Sequence, residues 1–246
     1  MAIDDAFLSR VTHDLRGELA TMVAGLHYLT RYEAGLGDTG RQMLERVSGA
    51  GQRLRRLLDE LELSVWIEGE GFVAPGAVPA PEPGRFEPLV QAALGRLERL
   101  VAQRAVTVEL ELGAELPEVV GDLELLGAAV ELLLDFAVSR SPGRVVRVGV
   151  TCAGGALVLR VEDEGGLVEP AVLARVFEPF VEKELVPRPE PGARRRERLG
   201  LGLGIARGIF AAHGGSVTAA PGEKGIVLTG ALGLAPGAGC REPPSV

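Results

Sequence analysis

His13 and Asp14 stand side by side in the stretch Phe7-Leu-Ser-Arg-Val-Thr-His-Asp-Leu-Arg16, with Leu19 just beyond it. A neutral imidazole nitrogen can attack a phosphorus centre, and a neighbouring carboxylate can hold the other ring nitrogen or take its proton near neutral pH. An isolated His-Asp pair is more often an ordinary surface histidine, so its surroundings decide. Three further constellations follow in the chain. Glu131 and Asp135 are four residues apart, on one face if the segment is helical, although two acids so spaced are usually a solvated helix face. Asp163-Glu-Gly165 closes a strand-like run. Gly200, Gly202 and Gly204 open a helix-like run, where glycine lets backbone N–H groups approach an anion at the helix's positive end. With 34 Gly in 246 residues, any one glycine motif can arise by chance, and their order along the chain carries more weight.

The elements that must position these groups are legible in hydrophobic periodicity. Leu8, Leu15, Met22 and Leu29 keep a heptad rhythm, with Thr12, Leu19 and Leu26 four residues further on, which predicts a long amphipathic helix. His13 sits one residue past the seam, on its shoulder and open to another domain. Gly35, Gly37 and Asp38 supply a stop, a turn and a candidate N-cap. A second helix follows through Val47, Ala50, Leu54, Leu57 and Leu61. Two helices alone would leave an apolar seam wet, so the hairpin is expected to dimerise into a four-helix bundle.

After Trp66 a Pro- and Gly-rich stretch breaks the periodicity and reads as a linker. The expected organisation is a helical hairpin over 1–68, a linker over 69–84, an α+β domain over 85–235 and a disordered tail over 236–246. Within the second domain, helices are predicted at Phe86–Gln103 and Leu123–Val138, with a strand at Val106–Leu112. Val146–Val150 and Leu157–Asp163 make a hairpin around Gly154-Gly155, and closing strands fall within Val217–Leu234.

The net charge of −8 argues against a general nucleic-acid binder, which needs excess cation. Cys152 and Cys240 are far apart and lack metal spacing, as expected of thiols in a reducing compartment, which points to the cytoplasm. The N-terminus has no secretion-signal pattern, and no apolar run approaches the length of a membrane span.

The box around His13 resembles the phosphoacceptor box of two-component histidine kinases, and Asp59–Gly69 looks like the end of that family's second bundle helix. The second half resembles the ATP-binding domain that histidine kinases share with gyrase-type topoisomerases, Hsp90 and MutL repair proteins (the GHKL group). The resemblance implies an α/β sandwich behind a dimeric four-helix bundle. It implies that Glu131 and Asp135 face Mg²⁺ on the triphosphate, with Asp135 where Asn is usual, and that Asp163 accepts a hydrogen bond from the adenine amino group beside Gly165. Gly200, Gly202 and Gly204 would then cradle the phosphates. Phe177-Glu-Pro-Phe180 resembles the family's phenylalanine box. Val181–Arg198 would be the lid, where Arg194, Arg195, Arg196 and Arg198 either meet phosphates or are solvated loop charges. His213, in the closing Ala212-His213-Gly214-Gly215, reads as structural. This chain departs from the pattern at Glu18 for Pro, Asp135 for Asn, Val138 for Lys and Leu167 for the second Gly of the Asp163 box, where the side chain would narrow the nucleotide space.

The resemblance implies ATP-dependent phosphorylation of His13, with Asp14 orienting or deprotonating it, and transfer to an aspartate of a response-regulator receiver domain. A sensor supplied in trans would give the input. The rival expectation is a histidine phosphotransfer or scaffold protein whose ATP domain no longer binds nucleotide. A third is an ATPase of the gyrase or Hsp90 kind, with Glu131 activating water.

Overall fold

The computed structural model describes residues 81–187, 200–235 and 239–240, with short runs between 19 and 54. His13, Asp14, Glu18, Asp59 and the four arginines Arg194, Arg195, Arg196 and Arg198 lie outside the described residues. The chain divides into two compact units, one built chiefly on Met1–Gly69 and one on Glu70–Arg188 with Gly200–Val246.

In the first unit the described backbone is helical at 19–20, 22–24, 26 and 29, and again at 38–44, 46–49, 51 and 54. The Arg41 N–H donates to the Gly37 carbonyl at 3.1 Å. Gly37 is therefore the capping position, and Asp38 opens the helix with its carboxylate at the positive end of the dipole. A Cβ at Gly51 would lie 2.7 Å from Val23 Cγ2, so the two helical segments touch there. Leu19 is buried, while Met22, Leu29, Met43, Val47 and Leu54 are exposed.

The second unit runs β1 (Glu82–Gly84), α1 (Glu87–Arg104), β2 (Thr107–Leu112), β3 (Val119–Gly121), α2 (Leu123–Arg140), β4 (Val145–Ala153), β5 (Ala156–Asp163), α3 (Pro170–Leu173), α4 (Val181–Leu185), α5 (Gly202–Ala212), β6 (Ser216–Pro221) and β7 (Ile226–Gly233). Five strands form a mixed sheet in the order β2-β4-β5-β7-β6, parallel only between β2 and β4. β1 and β3 make a separate antiparallel pair, so the last residues of the Pro- and Gly-rich stretch are a strand rather than linker.

Alternation builds the core. Val146, Val148 and Val150 of β4 and Leu157, Leu159 and Val161 of β5 are buried, whereas Arg147 and Arg160 are exposed on the other face. The β4–β5 turn is Gly154-Gly155 at φ 59° and 77°, a conformation that side chains with a Cβ resist. Helix α1 buries Val90, Ala93, Leu97 and Leu100 at helical spacing. α2 lies between α1 and α5 and is buried on most sides, which its near-continuous apolar sequence requires. It starts sharply because the Asp122 carboxylate accepts from the backbone N–H groups of Glu124 and Leu125 at 3.0 Å.

The same alternation carries Asp163, last in β5, to the inward face. There it meets Arg140, last in α2, with Arg140 Nε 3.1 Å from Asp163 Oδ2 and exposures of only 2% and 1%. Two charges this far from water are tolerated only as a pair, so this contact fixes α2 against the sheet.

The structure corrects the reading of the cysteines. Cys152, near the end of β4, is disulfide-bonded to Cys240, 88 residues later, with Cα atoms 5.4 Å apart, and Cys240 Sγ lies 3.9 Å from the Ala156 carbonyl. The tail returns to the β4–β5 hairpin, a proximity that spacing alone does not reveal. The support that two free thiols gave to a reducing compartment is thereby removed.

Two measurements follow from this packing. Arg140→Ala strands a buried carboxylate, and urea unfolding should show a loss of about 3–5 kcal/mol with an unchanged slope. Reductant should lower the stability of the wild-type chain by about 2–4 kcal/mol and leave Cys240→Ser unaffected; equal sensitivity in both would contradict the pairing.

Candidate functional site

The end of β5 meets the end of α2, and α4 connects this corner to the start of α5, touching the first through Leu185 and the second through Glu182. At the corner, Asp163 Oδ1 accepts from the Gly165 N–H at 2.7 Å while Oδ2 takes Arg140 Nε. Burial pushes the Asp163 carboxyl above its ordinary pKa, opposed by the Arg140 guanidinium and the Gly165 and Ile226 backbone N–H groups. Arg140 continues past Asp163: Nη1 donates to the Leu185 carbonyl at 3.2 Å and Nη2 to the Gly166 carbonyl at 2.8 Å. Gly165 is tightly enclosed, since a Cβ there would lie 2.7 Å from both Arg140 Cβ and the Arg140 carbonyl oxygen. The turn is fixed further by Glu164 N–H donating to Ser141 Oγ at 3.2 Å and Gly166 N–H to the Lys224 carbonyl at 2.9 Å.

At the other end, α5 begins in the glycine-rich turn. Gly200 has φ 81°, and its carbonyl accepts from the Phe180 N–H at 2.7 Å, which ties the phenylalanine box to the turn. A Cβ on Gly204 would lie 2.9 Å from the Phe177 carbonyl, and the Arg207 guanidinium lies over the Phe177 ring at 4.8 Å from its centroid. No side chain in the turn itself caps α5. Instead Glu182, on α4 and 4% exposed, accepts from the Leu203 N–H through Oε2 at 2.7 Å. Its carboxylate oxygens lie 3.3 and 3.4 Å from where a Gly202 Cβ would stand, and Leu132 of α2 closes the same spot at 3.3 Å.

Glu131 and Asp135 do share one half-exposed face of α2. Glu131 is drawn toward α1 by Arg96, with Nε 2.5 Å from Oε2. Among the described residues no group of three or more His, Cys, Asp or Glu side chains is assembled for a metal ion. Leu167 is 73% exposed and adopts no positive φ, which falls on Gly166 instead, so the substitution does not strain the turn. His213 is structural. Asp122 N–H donates to its Nε2 at 3.0 Å, so Nδ1 carries the proton and donates to the Ile209 carbonyl at 2.7 Å, joining the start of α2 to the end of α5.

The structure thus brings together Asp163 and Gly165, and separately places Gly200, Gly202 and Gly204 at the start of α5. His13 and Asp14 are outside the described residues. Sequence reasoning missed Arg140 and Glu182, the two charged side chains at the centre of each cluster. Arg140 reads as an ordinary helix C-terminal cation, and Glu182 as a loop acid. The available signal was their placement beside buried residues of α2 and α4.

Residues 121–237 match the family model described as histidine kinase-, DNA gyrase B- and HSP90-like ATPase. The chain is 32% identical to the sensor histidine kinase TrcS of Mycobacterium tuberculosis over 90% of its own length and 42% of that protein's. It is 24% identical to the sensor protein TorS of Escherichia coli, over 87% of this chain and 22% of that one. It therefore spans less than half the length of these curated relatives. In fold it is similar to full-length ShkA, solved with AMPPNP (TM-score 0.76, 19% identity, 99% of this chain and 48% of that one). It is also similar to the Acinetobacter baumannii histidine kinase AdeS (TM-score 0.59, 18% identity, 90% of this chain and 98% of that one). The order of the sequence motifs, the sandwich of α1, α2 and α5 on a five-stranded sheet, and these likenesses agree: the chain belongs to the two-component histidine kinase family, with a GHKL-type ATPase domain as its second unit.

Proposed function

We propose that this protein carries a phosphoryl group on His13 in a two-component pathway and hands it to an aspartate of a response-regulator receiver domain. The single observation that carries this reading is the likeness to a sensor histidine kinase along nine-tenths of the chain. Asp14 orients the His13 ring or takes its proton, leaving a nitrogen lone pair for phosphorus. A homodimer is the working unit. Met22 and Leu29 are seven residues apart, and Met43, Val47 and Leu54 also keep helical spacing, so the exposed apolar side chains of the first unit form stripes that a second copy would cover. Among the described residues no helix is long and apolar enough to cross a membrane. The input to His13 would come from a sensor acting in trans.

Two phosphoryl donors fit the chemistry of His13. The family's donor is Mg²⁺-ATP, and the residues of this chain that would hold it are Glu131, Asp135, Asp163, Gly165 and the turn of Gly200, Gly202 and Gly204. As the side chains stand they do not fit it, because Asp163 is engaged by Arg140 and the start of α5 by Glu182. That observation favours the second reading, a histidine phosphotransfer protein charged by a phosphorylated receiver. There the acyl phosphate's P–O bond breaks as the P–N bond to imidazole forms, and the reverse step passes the group on.

Incubation with γ-labelled ATP and Mg²⁺, and in parallel with a labelled phospho-receiver, separates the donors. Label from the receiver alone indicates a relay, and label from ATP indicates a kinase. In either case His13→Gln should reduce acid-labile label to background. Unchanged labelling in that variant, or no label from either donor, rules out the proposal.

A further inference from the structure

We infer that Arg140 and Glu182 are internal stand-ins for a nucleotide, the guanidinium in the place of the adenine amino group and the carboxylate in the place of a phosphate, and that together they exclude adenine nucleotides from this domain. The inference deepens the relay reading, on which it rests for the identity of the phosphoryl donor.

The base end comes first. A carboxylate that recognises adenine must offer an oxygen to an exocyclic N–H. Both oxygens of Asp163 are already used, one by Arg140 Nε and one by the Gly165 N–H. Spare lone pairs would not suffice, because the guanidinium also occupies the space between Asp163, the Gly166 carbonyl and the Leu185 carbonyl. Admitting a base would break three hydrogen bonds from Arg140 and leave a cation that is 2% exposed without its anion.

The phosphate end is filled independently. The first free N–H groups of a helix are its anion-binding groups, and the Leu203 N–H at the start of α5 is taken by Glu182 at 2.7 Å. A carboxylate there satisfies both the donor and the helix dipole. It also sets a negative charge, 4% exposed, where an incoming phosphate would bring another. Gly202 has no side chain to hold Glu182 away; the carboxylate comes within 3.4 Å of its Cβ direction. The two plugs are linked along α2, since Leu132 flanks Gly202 and Arg140 lies eight residues later, about 12 Å along the helix axis. Both ends of an extended nucleotide would thus meet an occupant of matching chemistry, a cation donor at the acceptor and an anion at the donor.

The test is calorimetric titration of the full chain with ADP and Mg²⁺, in wild type, Arg140→Ser and Glu182→Gln. Glu182→Gln keeps an oxygen for the Leu203 N–H and removes only the charge, so it preserves the fold even if Arg140→Ser does not. Wild type should bind no tighter than about 1 mM. Glu182→Gln, and Arg140→Ser where thermal melting shows it folded, should each bind at least about tenfold tighter, a gain that structural damage cannot produce. Wild-type binding in the low micromolar range would overturn the inference. So would folded variants that bind no better than wild type, which would assign the loss to Asp135 or other departures. Labelling of His13 by a phospho-receiver in the same preparations stands apart: its absence defeats the relay reading, whereas tight nucleotide binding with labelling intact defeats only this inference.

Discussion

The second unit is organised around one buried ion pair. Arg140 is the last residue of α2 and Asp163 the last of β5, so their contact joins the end of the central helix to the end of a central strand. Neither charge has water to fall back on, and each is stable only because the other is present. The guanidinium then distributes its remaining donors to two backbone carbonyls, at Gly166 and Leu185, that no strand or helix satisfies. A single side chain therefore fixes the turn after β5 and the end of α4. The chain itself supplies every one of these contacts.

The layers make this arrangement possible. α2 is apolar almost all round because α1, α5 and the sheet surround it, so a charge at its end is forced into the interior unless the helix stops earlier. The sheet's period of two does the same to Asp163, since Leu157, Leu159 and Val161 face inward and the residue two further on must follow them. At the opposite side of the unit, His213 bridges the start of α2 and the end of α5 with one proton and one lone pair. Helix α2 is thus tethered polar-wise at both termini and by packing between them.

Much of this was legible in the sequence, and where it was not the reason is physical. The helices from Glu87 and Leu123 and the β4–β5 hairpin were readable because long periodic runs and a Gly-Gly turn have few alternative conformations. The clustering of Asp163 with Gly165 and the glycine turn at the start of α5 were readable because each is local in sequence. Arg140 with Asp163, Glu182 with Leu203 and Cys152 with Cys240 are 23, 21 and 88 residues apart, and they are set by tertiary approach, to which periodicity is blind. At Leu167 a substitution within a motif suggested backbone strain, yet the preceding glycine carries the positive φ and the side chain stays largely exposed.

The bond between Cys152 and Cys240 also decides where anything joined after it must leave the unit. Ala156, beside Cys240, and Asp163 stand at opposite ends of β5, seven residue steps or about 23 Å apart. A fluorophore, affinity handle or fused partner appended to the C-terminus is therefore tethered through Cys240 at the end of β5 away from Asp163. In a reduced preparation that restraint is gone, and the same appendage gains the reach of the freed tail.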